Sequence, residues 1–219
     1  MKITAISKRR KSLVALELFP PVNPTEYNAE TDSLGLITID SFVCEQLCLK
    51  SGMEISEDQL RDIIEKSSLK RAKNRAMWYL EQGDMSKKQL FLKLARSFPK
   101  QSAEKAVDRM EELGLLDDER YAARQAEKLI FEKRNSPEYA AYLLTTKGID
   151  RSLARRITEE IEVDNSEIIR EIIERRYHGD LSDEKQLNRA VGYLSRRGFS
   201  FSDIKKVTEE YKKDSEEYY

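Results

Sequence analysis

Few side chains in this sequence could do covalent chemistry. The single histidine, His178, stands in a polar stretch before Gly179-Asp180 and reads as a solvent-facing loop residue. Cys44 and Cys48 lie one helical turn apart with no further Cys or His nearby. Such an isolated pair is a poor zinc site, and the expectation is two buried thiols in a reducing compartment. Asp117 and Asp118 are adjacent, so at a helix start they point apart. That suits capping better than two-metal or paired-carboxylate catalysis. Neither a Gly-x-x-x-x-Gly-Lys-Ser/Thr loop nor a Gly-x-Ser-x-Gly elbow occurs. The expectation is therefore no catalytic residue, no metal, no cofactor, no small-molecule substrate and no enzymatic activity.

What remains is charge. Lysine and arginine number 39 against 40 acids, a net charge of -1, so a polyanion site must come from uneven distribution. The distribution is uneven. Residues 20–65 carry ten acids against Lys50 and Arg61, and then Lys66, Lys70, Arg71, Lys73 and Arg75 follow with no acid before Glu81. Arg120, Arg124, Lys128 and Arg134 come next. Lys147, Arg151, Arg155 and Arg156 follow them, and Arg189, Arg196, Arg197, Lys205 and Lys206 come last. Glu159, Glu160, Glu209 and Glu210 are expected on the opposite faces, which would make each helix bipolar. Two readings stay open: the footprint of a polyanion partner, or an ordinary salt-bridged helix surface.

The elements that must position these residues are mostly helical. Charged residues are 36%, with 8 Gly and 5 Pro, and the apolar residues recur at helical spacing. Lys2–Ser7, Ser12–Leu18 and Leu36–Asp40 read as three strands of a small sheet that must dock on something helical. A loop over 20–33, opened by Pro20-Pro21, separates the second strand from the third. Ser41 is expected to cap a helix through about Leu49, and Ser56–Ser67 to form another. From Lys70 onward the pattern is helix after helix with short joints. Ser86 with Gln89 makes a capping box, Pro99 is a break, and Ser136-Pro137 is a start. No run of apolar residues is long enough to span a membrane, and the basic Met1–Arg10 is followed by no signal-peptide core. The expected location is the cytoplasm, with no membrane partner.

The best-marked joint is Met110–Arg124. Gly114 suits a left-handed C′ residue, with Leu115 folding back on Met110. Asp117 serves as N-cap, with Asp118 and Glu119 in the first turn. Leu116 and Tyr121 have the spacing of a hydrophobic staple. Two later joints repeat each other at an offset of 50 residues: Leu144-Thr-Thr-Lys-Gly148-Ile149 and Leu194-Ser-Arg-Arg-Gly198-Phe199. Ser86–Leu113 is a weaker copy. A period of this size, with two or three helices per unit, indicates an elongated, curved array of tandem helical repeats. The expected organisation is mainly α. An N-terminal extension covers 1–68, repeats cover 69–124, 125–178 and 179–214, and an acidic tail covers 215–219.

These residues carry a resemblance. Ala76-Met-Trp-Tyr-Leu80, Leu113-Gly-Leu-Leu-Asp-Asp-Glu-Arg-Tyr121-Ala122, Leu144-x-x-Lys-Gly-Ile149 and Tyr193-Leu-Ser-Arg-Arg-Gly-Phe199 resemble the RecX family in order and spacing over about 72–212. The resemblance implies three tandem three-helix repeats and a non-enzymatic modulator of the RecA recombinase. Such a protein binds the RecA filament on single-stranded DNA, with double-stranded DNA as a further form, and commonly inhibits it. The departures are Arg96-Ser97-Phe98-Pro99, where the family pattern has Lys-Gly, and Glu132–Ser136, which lacks the usual glycine. Two other classes compete with this one: a helix-turn-helix transcription regulator and a helical-repeat scaffold for proteins alone.

Overall fold

The computed structural model describes residues 1–10, 12–23 and 35–216, with side chains through 211. Most of the loop expected over 20–33 and the end of the acidic tail lie outside the described residues. The chain divides into two compact units, 1–116 and 117–219.

The first unit begins with an antiparallel sheet, β1 (Lys2–Lys8), β2 (Leu13–Phe19) and β3 (Ile37–Asp40), in that spatial order. Leu16 pairs with Ile6 on one side and Ile37 on the other. Ile3, Leu16, Ile37 and Ile39 are fully buried. Ile55, Leu60 and Ile63 cover them, so the helical support that three short strands require is present.

Helix boundaries in the first unit differ from expectation. Asp40, not Ser41, caps α1 (Ser41–Gln46), because the Asp40 carboxylate accepts the Phe42 N–H at 3.0 Å. The helix begun at the Ser56–Gln59 capping box does not stop at Ser67. It runs as α2 (Glu57–Gln82) for 26 residues, roughly 39 Å at 1.5 Å per residue. No Gly or Pro interrupts it, and the sign change in charge is no break, because Lys, Arg and Ala are good helix formers. Ser67 faces the sheet, and its buried hydroxyl accepts the Asp40 N–H at 2.8 Å. The two ends of α2 thus serve two cores: Leu60 and Ile63 under the sheet, and Ala72 and Ala76 among the helices.

The second of these cores joins α2 to α3 (Lys87–Leu94) and α4 (Lys100–Glu112) through Leu90, Leu94, Ala103, Ala106 and Met110. Ser86 and Gln89 form the expected reciprocal cap. At the end of α4, Gly114 has φ +68°, and the Leu115 N–H reaches the Met110 carbonyl at 2.9 Å. The apolar half of the motif differs, however. Leu115 is exposed, and it is Leu116 that packs into the cluster with Met110.

The second unit holds two groups of three helices. In the first group, α5 (Asp118–Glu127) packs with α6 (Pro137–Thr146) and α7 (Arg151–Glu159). Tyr121, Ala122 and Ala126 of α5 join Leu144, Ile149 and Ile157. The break therefore falls at 116/117 rather than at 124/125, because the small and aromatic face of α5 is buried against α6 and α7. Likewise α8 (Asn165–Tyr177) opens the last group, with α9 (Glu184–Ser195) and α10 (Phe201–Glu216), around Ile169, Ile173, Leu194 and Val207. Asp117, Ser136, Asp150 and Asp164 supply N-caps. Hydrogen bonds from the Ser152 hydroxyl and from backbone N–H groups hold the Asp150 carboxyl below the usual range. Gly148 and Gly198 end α6 and α9 with φ +94° and +83°, and the same backbone bonds recur: Ile149 N–H to Leu144 O at 3.2 Å, Phe199 N–H to Leu194 O at 3.4 Å.

The joint Glu132–Ser136, which contains no glycine, has its own solution. After α5 the backbone widens into a π-helical turn, Lys128–Glu132, and Arg134 takes the left-handed conformation, φ +52°, that glycine would adopt more cheaply. The Arg134 Nε bonds to Glu171 of α8 at 2.9 Å.

Candidate nucleic-acid interface

The last helical group gathers arginines around one ring. Tyr193 projects from α9. Arg176, in the last turn of α8, lies 4.4 Å from the ring centroid, and Arg197, just past α9, lies 4.9 Å from it. Both are within cation–π range. Each arises from local sequence. Arg175 and Arg176 complement the negative end of the α8 dipole before His178 and Gly179 turn the chain left-handed. Arg189 sits one helical turn before Tyr193. Arg196 reaches back along α9, so that its Nη1 lies 3.6 Å from where a Cβ on Gly192 would stand. Together with Tyr177, Asn188 and Gly192, Arg176, Arg189, Tyr193 and Arg196 line an open cleft of about 540 Å³. Among the described residues no acid lines it, and Arg176, Arg189 and Arg196 form no ion pair. Arg197 is held by the Tyr193 ring and by Asn135, to which its Nη1 donates at 3.4 Å.

The other sequence candidates are placed differently. Arg155 binds Glu159 at 2.6 Å, and Arg156 binds Glu160 at 3.3 Å and Glu119 at 2.9 Å. Hydrogen bonds to these carboxylates raise both guanidinium pKa values. The expectation of acids on opposite faces is therefore overturned: at i,i+4 the acid and the base share a face and neutralise one another. Lys205 is similarly 3.7 Å from Glu209, while Lys206 is exposed on α10. Glu210 is taken by Arg170 at 3.1 Å. Arg151 is exposed at the start of α7 and shares a groove with Tyr142 and Arg155. Lys147 is half-buried at the end of α6, and Arg120 and Arg124 are exposed on α5. Arg134 is committed to Glu171. In the first unit, Lys70, Arg71 and Arg75 lie over the rings of Phe42, Phe98 and Trp78, and Lys73 is half-exposed.

Arg176 was missed, although the Arg175-Arg176 pair closing the apolar run Ile168–Ile173 is a visible signal. In the sequence Tyr193 stands out only as part of the Tyr193–Phe199 motif. Cys44 is buried, its thiol pKa pushed up by burial and then by Glu45, but Cys48 is exposed because α1 ends at Gln46. The expected pair of buried thiols is thus corrected to one. His178 is exposed. Among the described residues no group of three or more His, Cys, Asp and Glu could hold a metal, and no helix is long and apolar enough to cross a membrane.

Comparison with known proteins agrees with this architecture. Residues 162–208, from just before α8 to the middle of α10, match the family described as RecX, third three-helix domain. The regulatory protein RecX of Clostridioides difficile (strain 630) is 27% identical over 188 residues, covering 84% of this chain and 89% of the relative. That of Trichlorobacter lovleyi is 32% identical over 123 residues, 52% of this chain and 77% of the relative. The one from Stenotrophomonas maltophilia (strain K279a) is 31% identical, covering 61% and 83%. A crystal structure of regulatory protein RecX superposes with a TM-score of 0.63 at 20% identity, over 95% of this chain and 98% of the other. The structure of RecX from Lactobacillus salivarius gives 0.55 at 21% identity, over 66% and 96%. With its small sheet, its three groups of helices and relatives above 30% identity spanned over three-quarters of their length, the chain belongs to the RecX family of regulatory proteins.

Proposed function

We propose that this protein is a non-catalytic regulator of homologous recombination and DNA repair in the cytoplasm, which binds the RecA filament on single-stranded DNA and inhibits RecA. The observation that carries the reading is the cleft around Tyr193, where Arg176, Arg189 and Arg196 have no carboxylate partner among the described residues. Unpaired guanidinium groups grouped on one surface favour phosphates, which they bind in bidentate fashion. The ring holds two of the cations in place, Arg176 at 4.4 Å and Arg197 at 4.9 Å from its centroid. Arg155 and Arg156, by contrast, already hold carboxylates, so a phosphate would have to displace these. Family membership supports RecA as the protein half of the target. The test is capture of RecA by the immobilised protein, with and without single-stranded DNA and at two salt concentrations. The reading expects capture that is strongest on the filament and weakens steeply with salt, because phosphate contacts release counterions. Capture of DNA alone would favour a transcription regulator, and capture of neither would favour a scaffold for other proteins.

A further inference from the structure

A second feature lies on α2, in the first unit. Beyond the sheet, α2 buries Ala72 and Ala76. Its opposite face carries Met77 and Trp78, which are 45% and 47% exposed although both are large and apolar. At helical spacing, Lys70 and Arg71 stand about two turns before Met77 and Trp78 on the same stripes, with Lys73 to one side and Arg75 to the other. From Lys66 to Leu80 the helix has no acid, and Glu81 at its end is the first. The Arg75 guanidinium lies 5.4 Å from the Trp78 centroid, and Lys70 Nζ lies 4.7 Å from the centroid of Phe42, itself 53% exposed. Two accessible rings thus each carry a cation. The distance from Lys70 to Trp78 is roughly 12 Å along the helix axis.

We infer that this face of α2 binds single-stranded nucleic acid directly, with an unstacked base on Trp78 and adjacent phosphates on Lys70, Lys73 and Arg75. A cationic face recruits any polyanion. An exposed indole at its C-terminal end discriminates among them, because only a strand with unpaired bases offers a flat partner next to its phosphates. A duplex presents its charge with the bases closed, and an acidic peptide has no such regular pairing of plane and anion. The inference rests on the reading above in taking DNA as the natural partner, but it concerns a separate surface and needs no RecA.

Trp78 is the single tryptophan of the chain, so it reports its own occupancy. Oligothymidylate titrated into the full-length protein without RecA should quench tryptophan fluorescence. Duplex DNA of equal length, inorganic polyphosphate and anionic vesicles serve as comparison probes and should quench far less. Trp78→Ala should weaken binding of a labelled oligothymidylate by about five-fold or more, the low end of base–aromatic stacking, and Trp78→Phe should retain most of it. Circular dichroism shows whether each variant is folded, and the wild-type quenching requires no variant at all. Absence of quenching would overturn the inference. So would equal quenching by duplex or vesicles, or unchanged oligothymidylate affinity in folded Trp78→Ala. Because RecA is absent, failure here leaves the filament reading standing. Failure of RecA capture likewise leaves the quenching result intact.

Discussion

A Cβ placed on Gly198 would stand 2.4 Å from the Cβ of Tyr139. The corner after α9 therefore fits against the start of α6 only because residue 198 has no side chain. The Ser136 N–H donates to the Arg197 carbonyl at 3.0 Å, and the Ser136 hydroxyl donates to the Gly198 carbonyl at 2.9 Å. One serine thus caps α6 and also ties the last helical group to the one before it. The same contact fixes the backbone of Arg197, at the edge of the arginine cleft.

This sets the order of two glycine substitutions. Gly114 and Gly198 share the left-handed conformation, but a Cβ on Gly114 meets nothing within 4 Å. Gly114→Ala should cost about 1 kcal/mol, the backbone penalty alone. Gly198→Ala should cost more, since it adds the collision with Tyr139. Urea denaturation of both variants measures this, and a smaller loss for Gly198→Ala would contradict the close approach.

Ser67→Ala should destabilise the first unit by about 1–3 kcal/mol, because the buried Asp40 N–H would lose its acceptor. A substitution at exposed Asn74 on the same helix should fall within about 0.5 kcal/mol. Equal, small effects at both positions would mean that Ser67 does not join α2 to the sheet.

The Tyr211 hydroxyl donates to Glu174 at 2.8 Å. Burial first, and then this carboxylate, pushes its pKa from 10.0 up to about 12. A raised pKa favours the protonated form in the folded state. The contribution is therefore fully present below pH 10, where the unfolded chain is also protonated, and it is lost as pH rises toward 12. The stability difference between wild type and Tyr211→Phe should shrink over that window. A constant difference between pH 9 and pH 12 would show that the tyrosine is not perturbed.

Much of this architecture is legible in the residues themselves. Gly148 and Gly198 with their flanking apolar residues announce two matched corners, because a left-handed C′ residue with its backbone bonds is a local motif. The three strands follow from short β-branched runs. The length of α2 was obscured by the reversal of charge near Lys66, which reads as a boundary but has no effect on backbone hydrogen bonding. The left-handed Arg134 and the π-helical turn before it depend on contacts with α8, more than thirty residues away, so no local rule finds them. The cleft is the subtler case. Arg155 and Arg196 look alike as letters, but one has an acid four residues on and the other does not. Spacing already distinguished them. Arg176 reaches the cleft from another helix, and only the packing of α8 against α9 brings it there.

The neutralised and the unpaired arginines should separate in function. Arg155→Ala and Arg156→Ala should leave salt-sensitive binding to the RecA–DNA filament within about two-fold, since exposed ion pairs of this kind contribute little. Arg189→Ala with Arg196→Ala should weaken it several-fold and flatten its dependence on salt. Filament binding followed at several salt concentrations supplies both slopes. A larger loss from the first pair would place the contact on α7.

The most direct measurement is inhibition of RecA's DNA-dependent ATPase by the wild type, by Arg189→Glu/Arg196→Glu and by Lys100→Glu. Lys100 is an exposed lysine of α4, paired with Glu104 at 3.7 Å and remote in sequence from the cleft. All three proteins should melt alike. Wild type and Lys100→Glu should inhibit fully, and the double charge reversal should lose inhibition. Undiminished inhibition by the double charge reversal would contradict the role of the cleft.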